Sequence, residues 1–183
     1  TSQLQFDQEF GNTFFGTGDT LINAETLLSL RADNPKRVLE DNCLLIYQDT
    51  LKGHDYIMTV DVSKGRGQDY STFTLIDISV QPFKQVAVYR NNTISPILFP
   101  NIIYKYAKVY NNAYVVIEAN DQGSVVCNGL YYDFEYDNMH VESVIKANAL
   151  GIEMNRKVKR LGCSNIKDIL ESKKLHLVDE QTI

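Results

Sequence analysis

The sequence has few of the residues that build disulfide-bonded or zinc-bound scaffolds. Its 183 residues include three cysteines, three histidines, four prolines and no tryptophan. Cys43, Cys127 and Cys163 are widely spaced without a Cys-x-x-Cys pair, and the histidines show no His-Glu-x-x-His spacing. This pattern argues against a disulfide framework and a zinc cluster, and it is typical of a reducing compartment. Any bound metal is therefore expected to have oxygen ligands.

Long hydrophobic runs are also absent. No run of about 18 apolar residues occurs, which argues against a membrane-spanning helix and predicts no membrane partner. The start of the chain lacks the basic residues and apolar stretch of a signal peptide. With 44% hydrophobic and 22% charged residues, the composition is ordinary for a soluble globular protein. The length favours one domain plus an appendage.

Charge is unevenly distributed along the chain. The whole chain has a formal net charge of −5. The segment from Lys146 to Leu175 carries eight basic and three acidic residues, a net charge of +5, so the remainder carries −10. This asymmetry favours a polyanionic partner near the C-terminus and an acidic site elsewhere. A solvated basic loop explains the charge alone equally well.

The hydrophobic pattern after residue 55 predicts an alternation of strands and helices. Three strands joined by short turns come first and indicate an antiparallel meander. We predict strands at 56–62, 71–78 and 84–90, a helix at 100–110, a strand at 114–118, a helix at 124–136, a strand at 140–145, a helix opening at Gly162 and a strand at 175–178. Crossover helices make strands four and five parallel, and a right-handed crossover places strand four beside strand one. The order therefore predicts a mixed α/β sheet flanked by helices, the ribonuclease H-like fold.

The first 50 residues follow a different pattern. Residues 24–30 predict one or two helical turns, and Asp33-Asn34-Pro35 is a turn signal. We therefore predict a linker or the tail of a preceding domain over residues 1–50, and one domain over residues 51–183.

Two acidic residues stand at the ends of the most apolar strands. Asp61 closes the first apolar run, and Glu118 follows Val-Val-Ile in the fourth strand. If these strands are parallel neighbours, both carboxylates emerge at the carboxyl end of the sheet, where open α/β sheets bind ligands. Oxygen-only ligands select hard divalent ions, and paired ions about 4 Å apart clamp the reacting oxygens of a phosphodiester. Acids that only begin a turn remain the alternative, more readily for Asp61 than for Glu118.

The turn after the first strand adds further candidates. Asp69 lies eight residues beyond Asp61, and a tight turn would return it to the sheet end as a ligand, directly or through water. Lys64 and Arg66 make the same turn basic, either to contact phosphate or only as a hairpin tip. Asp121 is predicted to cap the following helix, which has Ser124 as a second N-cap candidate.

One set of motifs is specific. The segment from Val60 to Tyr70 resembles the start of the nuclease domain in the large terminase subunit of T-even-type tailed bacteriophages. The resemblance continues in shorter motifs downstream: Asn92-Thr93-Ile94-Ser95, Ile117-Glu118, Gly162-Cys163-Ser164 and Lys167-Asp168. It covers most of residues 55–183. The first 50 residues resemble the end of the ATPase region and its linker, without the Walker motifs.

The resemblance implies the metal-dependent endonuclease of an ATP-driven motor that cuts concatemeric viral DNA during packaging, in the cytoplasm of the infected bacterial host. It implies that Asp61 and Glu118 are catalytic metal ligands, that Asp69 is an accessory metal-binding acid, and that the cofactor is Mg²⁺ or Mn²⁺. The implied partners are double-stranded DNA, the terminase ATPase domain, the small terminase subunit and the portal of the phage head.

The resemblance also places the basic stretch near the path of the DNA, in contact with the backbone rather than the bases. The DNA-binding candidates are Lys64, Arg66, Arg156, Lys157, Lys159, Arg160 and Lys167. The family takes a third catalytic aspartate from a downstream Asp-Asp motif that has no counterpart before Ile183. We therefore expect a C-terminally truncated domain that is weakly active or inactive.

Three other interpretations stay open. Another ribonuclease H-like nuclease, such as a resolvase or transposase core, shares the acidic cluster but not the Gly-Arg-Gly-Gln-Asp turn. An actin-like sugar kinase or ATPase needs two such domains, and one is present. A DNA-binding or motor-docking module with vestigial acids would cut no DNA when metal is supplied.

Overall fold

The computed structural model describes residues 21–144 and 147–183. The earlier part of the predicted linker, and Ile145 of the predicted fifth strand, lie outside the described residues. The helices are α1 (Ala24–Ser29), α2 (Phe99–Val109), α3 (Gly123–Asn128), which continues into a π-helical turn (Gly129–Asp133), and α4 (Arg156–Glu171). The strands are β1 (Arg37–Leu39), β2 (Leu44–Ile46), β3 (Tyr56–Asp61), β4 (Ser71–Asp77), β5 (Phe83–Asn91), β6 (Tyr114–Ile117), β7 (Val141–Val144), β8 (Ala147–Leu150) and β9 (Leu175–His176). None of the helices described is both long and apolar enough to cross a bilayer.

Seven strands form one mixed sheet in the described part of the chain. Their order is β1-β2-β5-β4-β3-β6, with β9 beside β5. β3, β4 and β5 are the predicted antiparallel meander, and α2 carries the chain across to β6, which pairs with β3 in parallel. The predicted mixed sheet, with its fourth strand beside its first, is confirmed.

One face of the sheet carries the hydrophobic core because side chains alternate along a strand. Tyr56, Met58 and Val60 of β3 are buried, whereas Thr59 and Asp61 on the opposite face are exposed. Buried side chains from the helices complete the core: Phe99, Ile103, Tyr106 and Ala107 of α2, Val126 and Cys127 of α3, and Leu130 of the π-helical turn. Each large apolar side chain buried here contributes roughly 1.5–3 kcal/mol to folding.

The opposite face of the sheet is covered by α4 across an open cleft. Thr59, Thr74 and Val116 of the sheet and Val158 of the helix line this cleft, whose volume is about 610 Å³. Leu170, near the C-terminal end of α4, is the one residue of the helix that is buried among those described. The N-terminal half of α4 therefore has no fully buried apolar side chain among the described residues to fix its position against the sheet.

The predicted fifth strand at 140–145 is present as β7, but it lies outside the main sheet. The chain passes β6 in parallel at Met139, which bridges Val115, then forms the β7–β8 hairpin and returns beside Glu118 at Ile152. The Ile152 N–H donates to the Ile117 carbonyl oxygen at 2.9 Å. The parallel direction is confirmed at both bridges. The prediction that this strand belongs to the main sheet is wrong, because β7 pairs with β8 in a separate small sheet.

Two helices begin at other residues than predicted. α4 begins six residues before Gly162, because the Asn155 Oδ1 accepts hydrogen bonds from the N–H groups of Lys157 (3.0 Å) and Val158 (3.1 Å). Gly162 lies inside the helix, where a glycine costs only about 1 kcal/mol. α3 begins at Gly123.

Residues 37–46 join the sheet, which the prediction of a linker did not anticipate. β1 and β2 form an antiparallel hairpin, and β2 pairs with β5 with Leu44 opposite Tyr89. Leu44 and Ile46 are buried, so the hairpin closes one edge of the core. Strands of three residues are too short for a periodicity argument. The domain boundary near residue 50 stays a prediction.

Buried polar groups tie the segment after β9 to β5. The Gln85 Oε1 accepts hydrogen bonds from two backbone N–H groups of this segment, at 3.0 and 2.9 Å. The Asp179 carboxylate is 1% exposed, pairs with Arg90 and accepts a hydrogen bond from the Tyr47 hydroxyl at 2.8 Å. Burial acts to raise the pKa of Asp179, but hydrogen bonds from Arg90, Thr182 and Tyr47 outweigh it and lower the pKa.

Candidate metal and nucleic-acid site

The parallel pairing of β3 and β6 brings Asp61 and Glu118 together. Val60 is in register with Ile117, and the Glu118 N–H donates to the Val60 carbonyl oxygen at 3.0 Å. The next residue on each strand is an acid, and neighbouring strands lie roughly 4.8 Å apart. Because Val60 and Ile117 point into the core, the two acids are on the opposite face and line the cleft under α4.

Neither acid of this pair has a side-chain partner among the described residues. Within the described residues, the side chains of Asp61 and Glu118 make no hydrogen bond and no ion pair. Asp61 is exposed and Glu118 is half-buried. Their oxygens are therefore open to a ligand entering the cleft.

Two glycines that the sequence analysis did not single out fix the backbone around Glu118. A Cβ on Gly123 would overlap the carbonyl oxygen of Glu118, so the first turn of α3 packs directly on that peptide. Gly151 has a φ of +79°, and a Cβ there would lie 2.6 Å from the carbonyl oxygen of Ile117. Only glycine fits such approaches. The sequence signal for Gly123 is its place five residues after Glu118, whereas Gly151 approaches β6 only through the folding of the chain.

The loop between β3 and β4 is pinned beside Asp61. A Cβ on Gly65 (φ +66°) would overlap the carbonyl oxygen of Ile94, and the Gly67 N–H donates to the Asn92 carbonyl oxygen at 2.8 Å. These contacts hold the loop against the chain that follows β5. The motif at residues 92–95 therefore fixes the conformation of the loop that carries Lys64 and Arg66.

This loop borders a second, polar depression of about 510 Å³. Asp61 belongs to its lining as well as to that of the cleft. The loop contributes Lys64, Arg66 and Asp69, and Asp121 closes the depression from the β6–α3 connection. The structure thus brings the predicted turn residues next to Asp61.

The prediction that Asp121 or Ser124 caps the second helix is wrong. The Asp121 carboxylate lies 3.2 Å from the Lys64 Nζ, and the hydrogen bond from Lys64, with a second from Gln122, lowers the pKa of Asp121. The Ser124 hydroxyl donates to the Asp121 carbonyl oxygen at 3.1 Å. Gln122 stands at the N-cap without a side-chain hydrogen bond. Asp121 is therefore the partner of a basic loop residue.

The donor set fits a hard divalent ion only in part. Asp61 and Glu118 offer carboxylate oxygens, the ligands that such ions prefer. Among residues 21–144 and 147–183, however, no group of three or more His, Cys, Asp or Glu side chains is arranged to hold a metal. Asp69 borders the depression without completing such a group, so its role as a ligand stays a prediction.

Other downstream acids do not supply a third ligand here. Asp179 is occupied by Arg90 on β5. Asp168 is exposed on α4, and Glu142 lies on β7, outside the main sheet.

The basic candidates after residue 155 share one helix. Lys159 lines the cleft beside Asp61 and Glu118, while other basic side chains border a depression of about 660 Å³ on the far side of α4: Arg156, Lys157 and Arg160. None of these four pairs with an acid in the described part of the chain. Lys167 differs, since its Nζ lies 3.9 Å from a Glu171 oxygen.

Comparison with known proteins gives a consistent result. The model of a family described as the terminase RNaseH-like domain matches residues 58–183. The crystal structure of the large terminase nuclease from thermophilic phage G20c with bound magnesium aligns with a TM-score of 0.72 at 19% identity, over 91% of this chain and 78% of that chain. Its form with bound cobalt gives a TM-score of 0.71 at the same identity and coverage. The large terminase nuclease domain of Thermus phage P74-26 aligns with a TM-score of 0.62 at 20% identity, over 87% and 72% of the chains. At such identities the structures share the fold.

Proposed function

The chain belongs to the family of terminase RNase H-like domains, and we propose on this basis that it is the metal-dependent DNA endonuclease domain of a phage large terminase subunit. Its task is to cut concatemeric viral DNA during genome packaging. The observation that carries this proposal is the side-by-side placement of two unengaged carboxylates, Asp61 and Glu118, at the carboxyl end of parallel strands.

The two acids are proposed to hold divalent ions, Mg²⁺ or Mn²⁺, with Asp69 as an accessory ligand. Structures of the G20c nuclease with magnesium and cobalt support the use of divalent ions in this fold. A bound ion supplies a Lewis acid that activates water and stabilises charge on the phosphate. Asp61 and Glu118 orient such an ion from the sheet, because both emerge from backbone fixed by pairing and by close-packed glycines.

Cations on both sides of the acid pair are proposed to bind the DNA backbone. Lys64 and Arg66 lie on the loop side, Lys159 lies on the cleft side, and the other basic residues of α4 border the depression on the far side of that helix: Arg156, Lys157 and Arg160. Phosphate contacts of this kind fix the position of the duplex without reading its sequence. Lys167 belongs to the same proposed surface from its place further along α4.

The wider setting is proposed from the family. The domain is expected to act in a DNA-packaging motor with the ATPase domain, the small terminase subunit and the portal, in the cytoplasm of the infected host. We also propose that the domain is related to the large terminase subunits of T-even-type phages in particular.

The test combines Mn²⁺ calorimetry with nicking of supercoiled plasmid in Mg²⁺ or Mn²⁺. Asp61→Asn and Glu118→Gln should lower metal affinity and cutting at least about 100-fold, because each removes a direct ligand. Asp55→Asn is the matched control, since Asp55 is an exposed acid that precedes β3 at the opposite end of the sheet.

Two results would contradict the proposal. Wild-type metal affinity in both variants would remove the acids from the site. Tight binding of DNA without binding of Mn²⁺ would favour a DNA-binding module with vestigial acids, which the incomplete acidic cluster among the described residues also favours.

A further inference from the structure

The N-terminal half of α4 forms one wall of the cleft without burying an apolar residue of its own. Val158, Lys159 and Cys163 line the cleft with the two acids, but the apolar anchor of the helix is Leu170, packed near its other end with Leu175. Apolar packing at the C-terminal end of the helix does not fix the position of its N-terminal end. Polar contacts must therefore set the distance between the first turns of α4 and the sheet.

The side-chain amide of Asn120 makes the connection. Its Oδ1 accepts a hydrogen bond from the Met154 N–H at 2.6 Å, and its Nδ2 donates to the Met154 carbonyl oxygen at 3.2 Å. The backbone N–H and the carbonyl oxygen of Met154 are thus both hydrogen-bonded to one side chain. Met154 is followed at once by Asn155, the N-cap of α4. Asn120 itself lies two residues after Glu118.

Backbone hydrogen bonds next to the Asn120–Met154 contact connect the same two segments. The Ala119 N–H donates to the Ile152 carbonyl oxygen at 2.9 Å, and the Ile152 N–H donates to Ile117. The segment leading into α4 is therefore laid along the end of β6, and Asn120 supplies its last tie before the helix begins.

We infer that Asn120 is a positioning residue, which fixes the N-terminal half of α4 relative to the Asp61–Glu118 pair, with Lys159 facing the pair and the other basic residues on the far side of the helix, so that one DNA duplex contacts both the acids and the helix. This inference rests on the proposed function, since it takes α4 to contact DNA. Asn120 does not line the cleft, so it acts on DNA through the placement of the helix.

The experiment measures binding of a fluorescein-labelled DNA duplex by anisotropy, using the 183-residue chain. Asn120→Ala should weaken binding roughly 5- to 10-fold, as expected when a coupled element loses its register, while the affinity for Mn²⁺ stays within about twofold of the wild type. Asn165→Ala is the matched control, because Asn165 is an exposed asparagine on α4. The same Asn120→Ala change is then made in a neutralised helix that carries Arg156→Gln, Lys157→Gln, Lys159→Gln and Arg160→Gln.

The neutralised helix separates positioning from general destabilisation. If Asn120 acts through the basic residues of α4, Asn120→Ala adds no further loss there, whereas a general effect on the fold would add its full loss again and overturn the inference. If the Ala variant does not fold, Asn120→Ser, which is uncharged and keeps a side-chain oxygen as an acceptor, should show a loss of DNA binding that again disappears in the neutralised helix.

The two possible failures are distinguishable. Wild-type DNA binding by Asn120→Ala, together with weak binding by the neutralised helix, overturns the inference and leaves the proposed function intact. Wild-type binding by the neutralised helix removes α4 from the DNA surface, and both the DNA-binding part of the proposed function and the inference fall.

Discussion

Asp179 and the Asp61–Glu118 pair are acids attached to the same sheet in opposite surroundings. Asp179 is fully buried, and every neighbour that touches its carboxylate donates a hydrogen bond: Arg90, Tyr47 and Thr182. Asp61 and Glu118 stand where the strands end, open to the cleft and without a donor among the described residues.

The difference separates an acid that holds the fold from acids that are free to bind. A buried carboxylate is stable only when its charge is compensated inside the protein. Two neighbouring carboxylates without compensation repel each other, and an incoming cation removes that repulsion. Substitutions at the two places should therefore change different properties.

The largest effect on stability is expected for Asp179→Ala. This change leaves the Arg90 guanidinium, which is 19% exposed, without its partner. Breaking a buried ion pair costs about 3–5 kcal/mol of unfolding free energy, and the C-terminal segment loses one of its ties to β5, while its backbone hydrogen bonds to Gln85 remain. Urea unfolding followed by circular dichroism measures the loss.

Asp61→Asn is the contrasting variant in the same unfolding experiment. It should unfold at the wild-type urea concentration or above it when no metal is added, because it relieves repulsion between two like charges. Equal destabilisation by Asp61→Asn and Asp179→Ala would show that both acids stabilise the fold, and that Asp61 is not kept free for a ligand.

The sequence predicted the acid pair but not the acid that anchors the fold. Asp61 and Glu118 follow apolar strands whose lengths and order reveal a parallel neighbour relation, so local patterns were enough. Asp179 gains its role from Arg90 and Tyr47, which are far away in sequence, and no local pattern reports such a pairing. The meander, α2 and β6 were predicted for the same local reason.

The parts of the fold that escaped prediction depend on tertiary contacts or on short elements. β1 and β2 have three residues each and are held by pairing with β5. β7 pairs with β8 instead of the main sheet, a choice of partner that its own sequence does not report. Asn120 and the close-packed Gly123 owe their importance to backbone that reaches them from elsewhere in the chain.

A smaller effect is expected from Gly123→Ala, which tests how firmly Glu118 is held. The new Cβ would overlap the Glu118 carbonyl oxygen, so the backbone must shift. Overpacking of this kind costs about 1–3 kcal/mol, and the affinity for Mn²⁺ should fall because Glu118 moves with its peptide. Calorimetry and urea unfolding measure the two effects.

Gly162→Ala is the matched control for that variant. No atom lies within 4 Å of the position that its Cβ would occupy, and alanine favours a helix interior over glycine by up to about 1 kcal/mol. It should therefore be neutral or stabilising and leave the affinity for Mn²⁺ unchanged. Unchanged metal affinity in Gly123→Ala as well would show that the placement of Glu118 does not depend on α3.

The smallest expected effect is the pH dependence of the Asp179 contribution. The folded-state pKa of Asp179 is lowered, because hydrogen bonds from Arg90, Thr182 and Tyr47 outweigh the effect of burial, so the unfolded chain binds its proton more readily. The stabilisation is therefore complete above the unfolded pKa of about 3.9 and is lost as the pH falls through the lower folded value. The difference in unfolding free energy between the wild type and Asp179→Asn should be constant near pH 7 and should shrink below about pH 4. Urea unfolding from pH 7 to pH 3 measures it, and a difference that grows on acidification would mean that the carboxyl group contributes mainly in its protonated form.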